Sequence, residues 1–149
     1  MVEHIAPPAQ ATYWFISGRV LFSIIPLLGQ ELVLVSIGRG IQESEHVALA
    51  KELADAIGAA VSCSRPVVDA KWMEKSRQVG SSGKIVKPKV YVACGISGSF
   101  QHLAGLKGNP FIVAINKNPK TQMFRVADVG IVADLLEFLP AATTRILGK

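Results

Sequence analysis

The sequence has little cysteine, little histidine, little charge and no long uninterrupted apolar run, and each shortage removes a class of protein. Its two cysteines, Cys63 and Cys94, stand far apart, lack metal-ligand spacing and fall in apolar, strand-like runs. That excludes a disulfide scaffold and suits buried free thiols in a reducing compartment. The three histidines, at positions 4, 46 and 102, form no cluster, so a metal centre is not expected. Charged residues make up 18% of the chain, and its lysines and arginines never run to five in a row, so a net charge of +5 leaves no nucleic-acid footprint. The same mild excess suits a phosphate-bearing cofactor, an acidic partner or an ordinary basic surface. Tyr13 to Leu28 is apolar but is broken by Gly18, Arg19 and Pro26, short of the ~20 residues of a membrane span. Val20 to Leu28 resembles the apolar part of a signal peptide. However, no lysine or arginine precedes Arg19 and no small-residue cleavage site follows Leu28, so no transmembrane or export segment is expected.

Several sequence fingerprints are also missing. No G-x-x-x-x-G-K-S/T occurs; Gly83-Lys84 lacks both the upstream glycine and the following hydroxyl. Gly38-Arg39-Gly40 supplies the first half of a dinucleotide G-x-G-x-x-G, but Glu43 stands in place of its last glycine. Ser97, Ser99, His102 and Asp134 have the residue types of a nucleophilic triad. The local run Gly95-Ile96-Ser97-Gly98 is not the G-x-S-x-G elbow, which argues against a hydrolase.

What is present is a hydrophobic half of a 149-residue chain, enough for one domain with a real core. Residues 1–10, with Pro7 and Pro8, read as a lead-in, and residues 1–30 as an N-terminal extension or the remnant of a lost upstream domain. Glu31 to Ile37 reads as a buried strand, with a turn at Gly38-Arg39-Gly40. Ser44 to Ile57 reads as a helix with Leu49, Leu53 and Ile57 in one stripe, ended by Gly58. Ala59 to Cys63, Val90 to Cys94, Phe111 to Asn116 and Val129 to Val132 are further strands. Val67 to Gln78 is irregular, Val79 to Ile85 is a turn-rich loop, and Phe100 to Leu106 is helix-compatible. Asp134 with Glu137 resembles a capping box opening a last helix that ends near Pro140 or restarts beyond it. Apolar strands separated by helices predict an open parallel α/β sheet.

In such sheets ligands sit at the carboxyl ends of the strands. The polar residues collect there: Arg39, Ser64 and Arg65, Ser97 and His102, Asn116, Asp134. The run Val90 to Gly105, VYVACGISGSFQHLAG, has the strand, small-residue turn and helix start that turn free N–H groups toward an anion. Hydroxyls, arginines and glycines in this arrangement suit a phosphorylated aromatic cofactor. The alternative is that the serines and glycines are turn residues and His102 lies on a helix surface.

From about Glu31 to the C-terminus the chain resembles the C-terminal, FAD-binding domain of the electron-transfer flavoprotein alpha subunit. The resemblance is carried, in order, by Gly38-Arg39-Gly40, Ala59 to Arg65, Asp69-Ala70, Gln78-Val79-Gly80 and Gly83 to Val86. It continues through Gly95 to Gly98, Gln101 to Gly105, Val113 to Lys117, Val126 to Asp128 and Asp134-Leu135. It implies a Rossmann-like open parallel sheet with helices on both faces over residues 31–149. The implied cofactor is FAD, bound by Arg39, Ser64, Arg65, Val79, Gly80, Ser81, Ser82, Ser97, Gly98, Ser99, Phe100, Gln101, His102, Asn116, Asp134 and Leu135.

The resemblance also implies roles. Arg39 and Arg65 lie against the isoalloxazine, and the Ser82 hydroxyl meets flavin N5. His102 faces the pyrimidine carbonyl and favours an anionic semiquinone. Ser64 and Ser97 serve the pyrophosphate and ribityl region, and Asn116, Asp134 and Leu135 hold the adenosine. Three departures from the family pattern stand out. Ser81-Ser82 replaces a glutamine-threonine, Met73 to Arg77 is more charged and lacks a proline, and the upstream domain that pairs with a beta subunit is absent. The last implies an excised or truncated domain, a split-gene product or a stand-alone relative.

The implied activity is that of an electron carrier, not a substrate-converting enzyme. It takes electrons from acyl-CoA dehydrogenase-type donors, as in fatty acid beta-oxidation, and passes them to a quinone oxidoreductase. The implied partner is the beta subunit, and the implied setting is the prokaryotic cytoplasm or the mitochondrial matrix. The alternative is a nucleotide-binding module for NAD or AMP, or an interaction module of the same fold without redox activity.

Overall fold

The computed structural model describes residues 33–148. The expectations for residues 1–30, and for the start of the first strand at Glu31, lie outside the described residues. Within them, β1 (Val33–Ile37), β2 (Ala60–Cys63), β3 (Val90–Cys94), β4 (Phe111–Asn116) and β5 (Val129–Val132) form one sheet in the order β2-β1-β3-β4-β5. Every neighbouring pair is parallel. The last three strands fall where the sequence puts them.

The pleat sorts the side chains. Val33, Val35 and Ile37 share a face with Cys63, Val92, Cys94, Val113 and Ile115, and all are buried in one core. That core is covered by α1 (Val47–Ile57) and α5 (Leu135–Ile146). α1 buries Val47, Ala50, Leu53, Ala54 and Ile57 at the 3.6-residue period; of the expected stripe Leu49, Leu53 and Ile57, Leu49 is only half-buried at its edge. A single 3-10 turn, Ser44–His46, leads into it, and the Ala59 N–H closes back onto the Ala54 carbonyl at 2.8 Å.

The opposite face carries Tyr91, Ala93, Ile112 and Ala114 under a second, smaller core. Two single-turn helices, α3 (Phe100–Leu103) and α4 (Met123–Val126), supply Leu103, Met123 and Phe124 to it. Helices therefore lie on both faces, but unequally: long ones on the first, short ones on the second.

Three local expectations change. The stretch from Val67 to Gln78 is not wholly irregular, because α2 (Arg65–Asp69) and a 3-10 turn at Lys75–Arg77 occupy much of its neighbourhood. Ser64 is extended and Pro66 stands in the first turn, where its fixed φ favours a helix start. Second, the helix-compatible stretch Phe100 to Leu106 is helical only over α3, Phe100–Leu103. Third, α5 runs through Pro140 without a break. Its Leu135, Phe138, Leu139 and Ala142 pack in the first core, and that burial outweighs the lost main-chain hydrogen bond. The expected N-cap is present: Asp134 Oδ1 accepts from the Leu136 N–H at 2.9 Å.

Candidate functional site

The strand order sets where a crevice must open. From β1 the chain moves outward to β2, and from β3 it moves outward the other way to β4. The connections at the carboxyl ends of β1 and β3 therefore diverge and leave a gap between them, the place where open α/β sheets bind ligands. The two turns bounding the gap are clamped together at its floor. The Gly38 N–H donates to the Cys94 carbonyl at 2.9 Å and the Gly40 N–H to the Gly95 carbonyl at 3.0 Å. Gly95 has φ of +67°, and a Cβ there would lie 2.7 Å from Gly40 Cα and 2.8 Å from Leu135 Cδ1. Only glycine satisfies both the backbone angle and the contact.

The third wall is the loop from Gln78 to Lys84. Val79 N–H donates to the Cys63 carbonyl at 2.8 Å, fastening the loop to the end of β2, and Ser81 N–H donates to the Gln101 carbonyl at 2.8 Å, fastening it to α3. Lys84 N–H returns to the Gln78 carbonyl at 2.7 Å, and the buried Gln78 side chain donates through Nε2 to Ser82 Oγ at 2.9 Å. Ser82 is thus held by its own loop. Gly105 packs directly on the Gly80 backbone, and a Cβ there would collide with it. Gly105→Ala should therefore displace this wall, at a cost of about 1–3 kcal/mol for overpacking. Faster amide hydrogen exchange at Ser81 to Lys84 than in the unmodified chain is the expected readout.

These walls enclose a cleft of about 370 Å³, within the ~300–1,000 Å³ range of small-molecule sites. It is lined by Arg39, Ser64, Arg65, Val79, Gly80, Ser81, Ser82, Ser97, Ser99, Gln101 and His102 among the residues expected from sequence. Five expected residues are not on its lining. Gly98 packs on the Met123 backbone, and Phe100 points outward at 82% exposure. Asn116 ends β4, where its Oδ1 accepts from the Asn118 N–H at 3.0 Å. Asp134 caps α5, and Leu135 is buried in the first core. Asn116 and Asp134 nonetheless share the cleft's edge of the sheet: the Asn116 carbonyl accepts from Ala133 at 3.2 Å.

Pro66, Asp69, Gln78, Gly95 and Ile96 also line the cleft; they are not among the expected site residues, although Gly95 and Ile96 lie in the Val90 to Gly105 run and Asp69 and Gln78 in segments that carry the resemblance.

The cleft is rich in donors. Among the described residues, the N–H groups of Ile96, Ser97, Gly98 and Ser99 find no main-chain acceptor. Of these, Ile96, Ser97 and Ser99 belong to the cleft lining, and helix α3, with only four residues, adds no helix dipole to them. Arg39 and Arg65 add positive charge. Arg65 Nε lies 3.5 Å from Asp69 Oδ2 in an exposed pair, which solvent screens. Hydroxyls come from Ser64, Ser81, Ser82, Ser97 and Ser99, and Asp69 is the one carboxylate on the lining.

His102 departs from the surface-histidine alternative. It is 4% exposed; Nε2 lies 2.7 Å from the Tyr91 hydroxyl, and Nδ1 has no hydrogen-bond partner among the described residues. Burial pushes its pKa down to about 4, opposed by the Val79 backbone. It therefore stands neutral at pH 7. Guanidinium, N–H, hydroxyl and imidazole groups around an open cleft, with one buried nitrogen left unpaired, fit an acceptor-rich anionic ligand such as a dinucleotide.

A parallel sheet in this order, with a donor-lined crevice at its switch point, defines a Rossmann-like α/β domain. Residues 27–107 match the family described as the electron transfer flavoprotein FAD-binding domain. The chain belongs to that family, that of the electron transfer flavoprotein alpha subunit. It is 52% identical over 108 residues to the electron transfer flavoprotein subunit alpha of Thermoanaerobacterium thermosaccharolyticum, covering 72% of this chain and 33% of that protein. It is 48% identical over 130 residues to the mitochondrial alpha subunit of Dictyostelium discoideum, covering 87% and 37%. Against the alpha subunit of Pseudomonas aeruginosa it is 45% identical over 140 residues, covering 93% and 45%. The chain thus spans between about a third and just under half of the length of these curated relatives. No helix among the described residues is long and apolar enough to cross a membrane, and no group of three or more metal-ligating side chains occurs among them.

Proposed function

We propose that this chain is the FAD-holding part of an electron carrier. The observation that carries the reading is the donor-lined cleft at the β1/β3 switch point of a chain in the electron transfer flavoprotein alpha family. Bound FAD would supply reversible one- and two-electron chemistry that no side chain here possesses. The protein's part is to bind, orient and tune.

In this reading Arg39 and Arg65 flank the isoalloxazine, and their charge favours the reduced, more anionic flavin. The Ser82 hydroxyl, fixed by Gln78, meets the ring at N5. His102 donates to the pyrimidine edge. Ser64, Ser97 and the N–H groups of Ile96 to Ser99 take the pyrophosphate and ribityl chain. Gly80, Ser81, Val79, Ser99 and Gln101 shape the walls, and Asn116, Asp134 and Leu135, with Gly98 and Phe100, serve the adenosine side and the rim.

The cleft is open to solvent beside the exposed Phe100 ring and the 69%-exposed Arg65 side chain. A beta subunit covering this rim would complete the site. Electrons would arrive from acyl-CoA dehydrogenase-type flavoproteins and leave to a quinone oxidoreductase, in a bacterial cytoplasm or a mitochondrial matrix.

Reconstitution tests the reading. The purified chain, incubated with FAD and then desalted, is expected to keep flavin absorption in about one-to-one ratio, with or without added beta subunit. A chain that takes up no flavin under either condition, yet gains thermal stability from NAD or AMP, would be a nucleotide-binding module without redox traffic.

A further inference from the structure

Charge is spread unevenly along this chain. Nine of its sixteen lysines and arginines lie between residues 75 and 127, and all eleven carboxylates lie outside that stretch. The stretch builds the cleft loop, β3, α3, β4 and α4, and with them the layer on the second face of the sheet. Four of its cations gather at the amino end of the strands, the edge opposite the cleft. Lys107 N–H donates to the Val86 carbonyl at 2.9 Å and Phe111 N–H to the Lys89 carbonyl at 2.8 Å, which brings Lys87, Lys89 and Lys107 together before β3 and β4. Arg125 lies in the next connection, where Asp128 N–H donates to the Ile112 carbonyl at 2.8 Å. All four cations are exposed, and none forms an ion pair among the described residues. The single carboxylate of these three connections is Asp128, which is half-buried and accepts from the Ile112 N–H through Oδ2 at 2.8 Å.

The same edge exposes apolar side chains. Ile85, Phe111 and Val126 all reach solvent there, Ile85 with 62% of its surface. Apolar groups among unpaired cations of one sign mark a docking surface for something anionic. Its composition narrows the class. Protein interfaces are enriched in Tyr, Trp, Met and Arg and depleted of Lys, whereas three of these four cations are lysines. Lysine stems beside aliphatic and phenyl groups suit a bilayer surface: the ammonium groups reach headgroup phosphates, and the apolar groups enter the boundary beneath them. The chain brings more of the same to this edge. Tyr13 to Leu28 holds four aromatic residues and Arg19 as its one charge, and four residues separate Leu28 from Val33. Val33 begins β1 at this edge, beside Val90.

We propose that the amino edge of the sheet docks on an anionic lipid bilayer, with Lys87, Lys89, Lys107 and Arg125 at the headgroup phosphates and Ile85, Phe111 and Val126 at the apolar boundary. The cleft lies at the other end of strands four to six residues long, about 13–20 Å away. It therefore faces away from the membrane and stays open to a ligand or a partner in water. The proposal does not depend on what the cleft holds.

The test is co-sedimentation of the full chain with vesicles of phosphatidylcholine and phosphatidylglycerol in equal parts, and with vesicles of phosphatidylcholine alone. The chain should sediment with the anionic vesicles and not with the neutral ones, and added salt should release it as the Debye length contracts. A cation near an anionic surface is worth roughly fivefold in affinity, so the double variant Lys87→Gln, Lys107→Gln should bind about 25-fold more weakly. The double variant Lys51→Gln, Lys117→Gln loses the same charge from α1 and from the cleft edge, and it should bind as the unmodified chain does. Ile85→Ser should weaken binding without changing its salt dependence. All these positions are exposed, so the variants should keep the far-ultraviolet circular dichroism of the unmodified chain. No sedimentation with the anionic vesicles would overturn the proposal, and so would equal sedimentation with the neutral ones. Equal weakening by the two double variants would reduce the effect to net charge and overturn it as well. A chain that ignores the vesicles but binds poly-glutamate would assign this edge to an acidic protein partner instead.

Discussion

Gly95→Ala is expected to destabilise the chain by about 2–5 kcal/mol. Two costs add. The backbone at Gly95 has φ of +67°, and an L side chain in that left-handed conformation costs roughly 1–2 kcal/mol. The new Cβ would also be driven to 2.7 Å from Gly40 Cα and 2.8 Å from Leu135 Cδ1. Gly40 is backbone in a clamped turn and Leu135 is buried at the start of α5, so neither yields freely, and overpacking of this kind costs about 1–3 kcal/mol. Gly108 separates the two contributions. Its φ is +76°, and its nearest outside neighbour is the flexible end of Lys87 at 4.0 Å. Gly108→Ala should pay the backbone cost alone, about 1–2 kcal/mol. Urea unfolding midpoints of the two variants give the comparison. Equal losses at the two positions would mean that the turns after β1 and β3 are not locked together, and the floor of the cleft would lose its basis. Because a domain of this size is stabilised by only about 5–15 kcal/mol, Gly95→Ala is also expected to lower the yield of folded protein.

Acid should unfold this domain earlier than its surface charges alone would dictate, and His102 is the reason. In the folded chain its pKa lies near 4, against 6.5 when exposed, chiefly because burial penalises the cation. Between those two pH values the unfolded chain binds a proton that the folded chain refuses. Stability is therefore complete above about pH 6.5 and declines as pH falls, until the folded form also protonates near pH 4. At about 1.4 kcal/mol for each pH unit, the loss between pH 6.5 and pH 4 comes to about 3–4 kcal/mol at its limit. His102→Gln removes the titrating group while keeping a polar side chain for the Tyr91 hydroxyl. The difference between the two proteins in unfolding free energy, measured by urea at pH 7, 5.5 and 4.5, should change in favour of the variant as pH falls. A difference that is constant across those pH values would mean that the imidazole reaches solvent in the folded state.

Much of the fold is legible in the sequence, for a physical reason. In a parallel sheet covered on both sides, the strands are apolar throughout, and Val90–Cys94, Phe111–Asn116 and Val129–Val132 stand out as short apolar runs between turn residues. α1 was readable because its buried residues repeat with the helical period. What could not be read was decided by contacts distant in sequence. α4 has a single turn, and nothing local separates it from a loop. Pro140 argues for a break that packing of Phe138 and Leu139 against the first core overrides.

The site divides in the same way. Arg39, Ser64, Arg65, Ser97 and His102 follow strands, so the rule that ligands gather at carboxyl ends brings them together. Gln78 reaches the cleft only because the loop after β2 folds back, and no spacing announces that, whereas Asp69 stands one turn of α2 beyond Arg65. His102 shows the limit most clearly. Its presence was legible, but its neutrality depends on burial against Tyr91, a residue that the sequence presents simply as part of a strand.

The central claim is that the cleft between β1 and β3 receives FAD by its flavin end. The most direct measurement is a titration of the ¹⁵N-labelled full chain with FAD, following the backbone amide signals. The account predicts saturable shifts concentrated at Gly38–Arg39, Ser64–Arg65, Val79–Ser82 and Ile96–His102, with the buried faces of α1 and α5 unmoved. Shifts that cluster elsewhere, or amide signals that do not respond to FAD at any concentration reached, would contradict it.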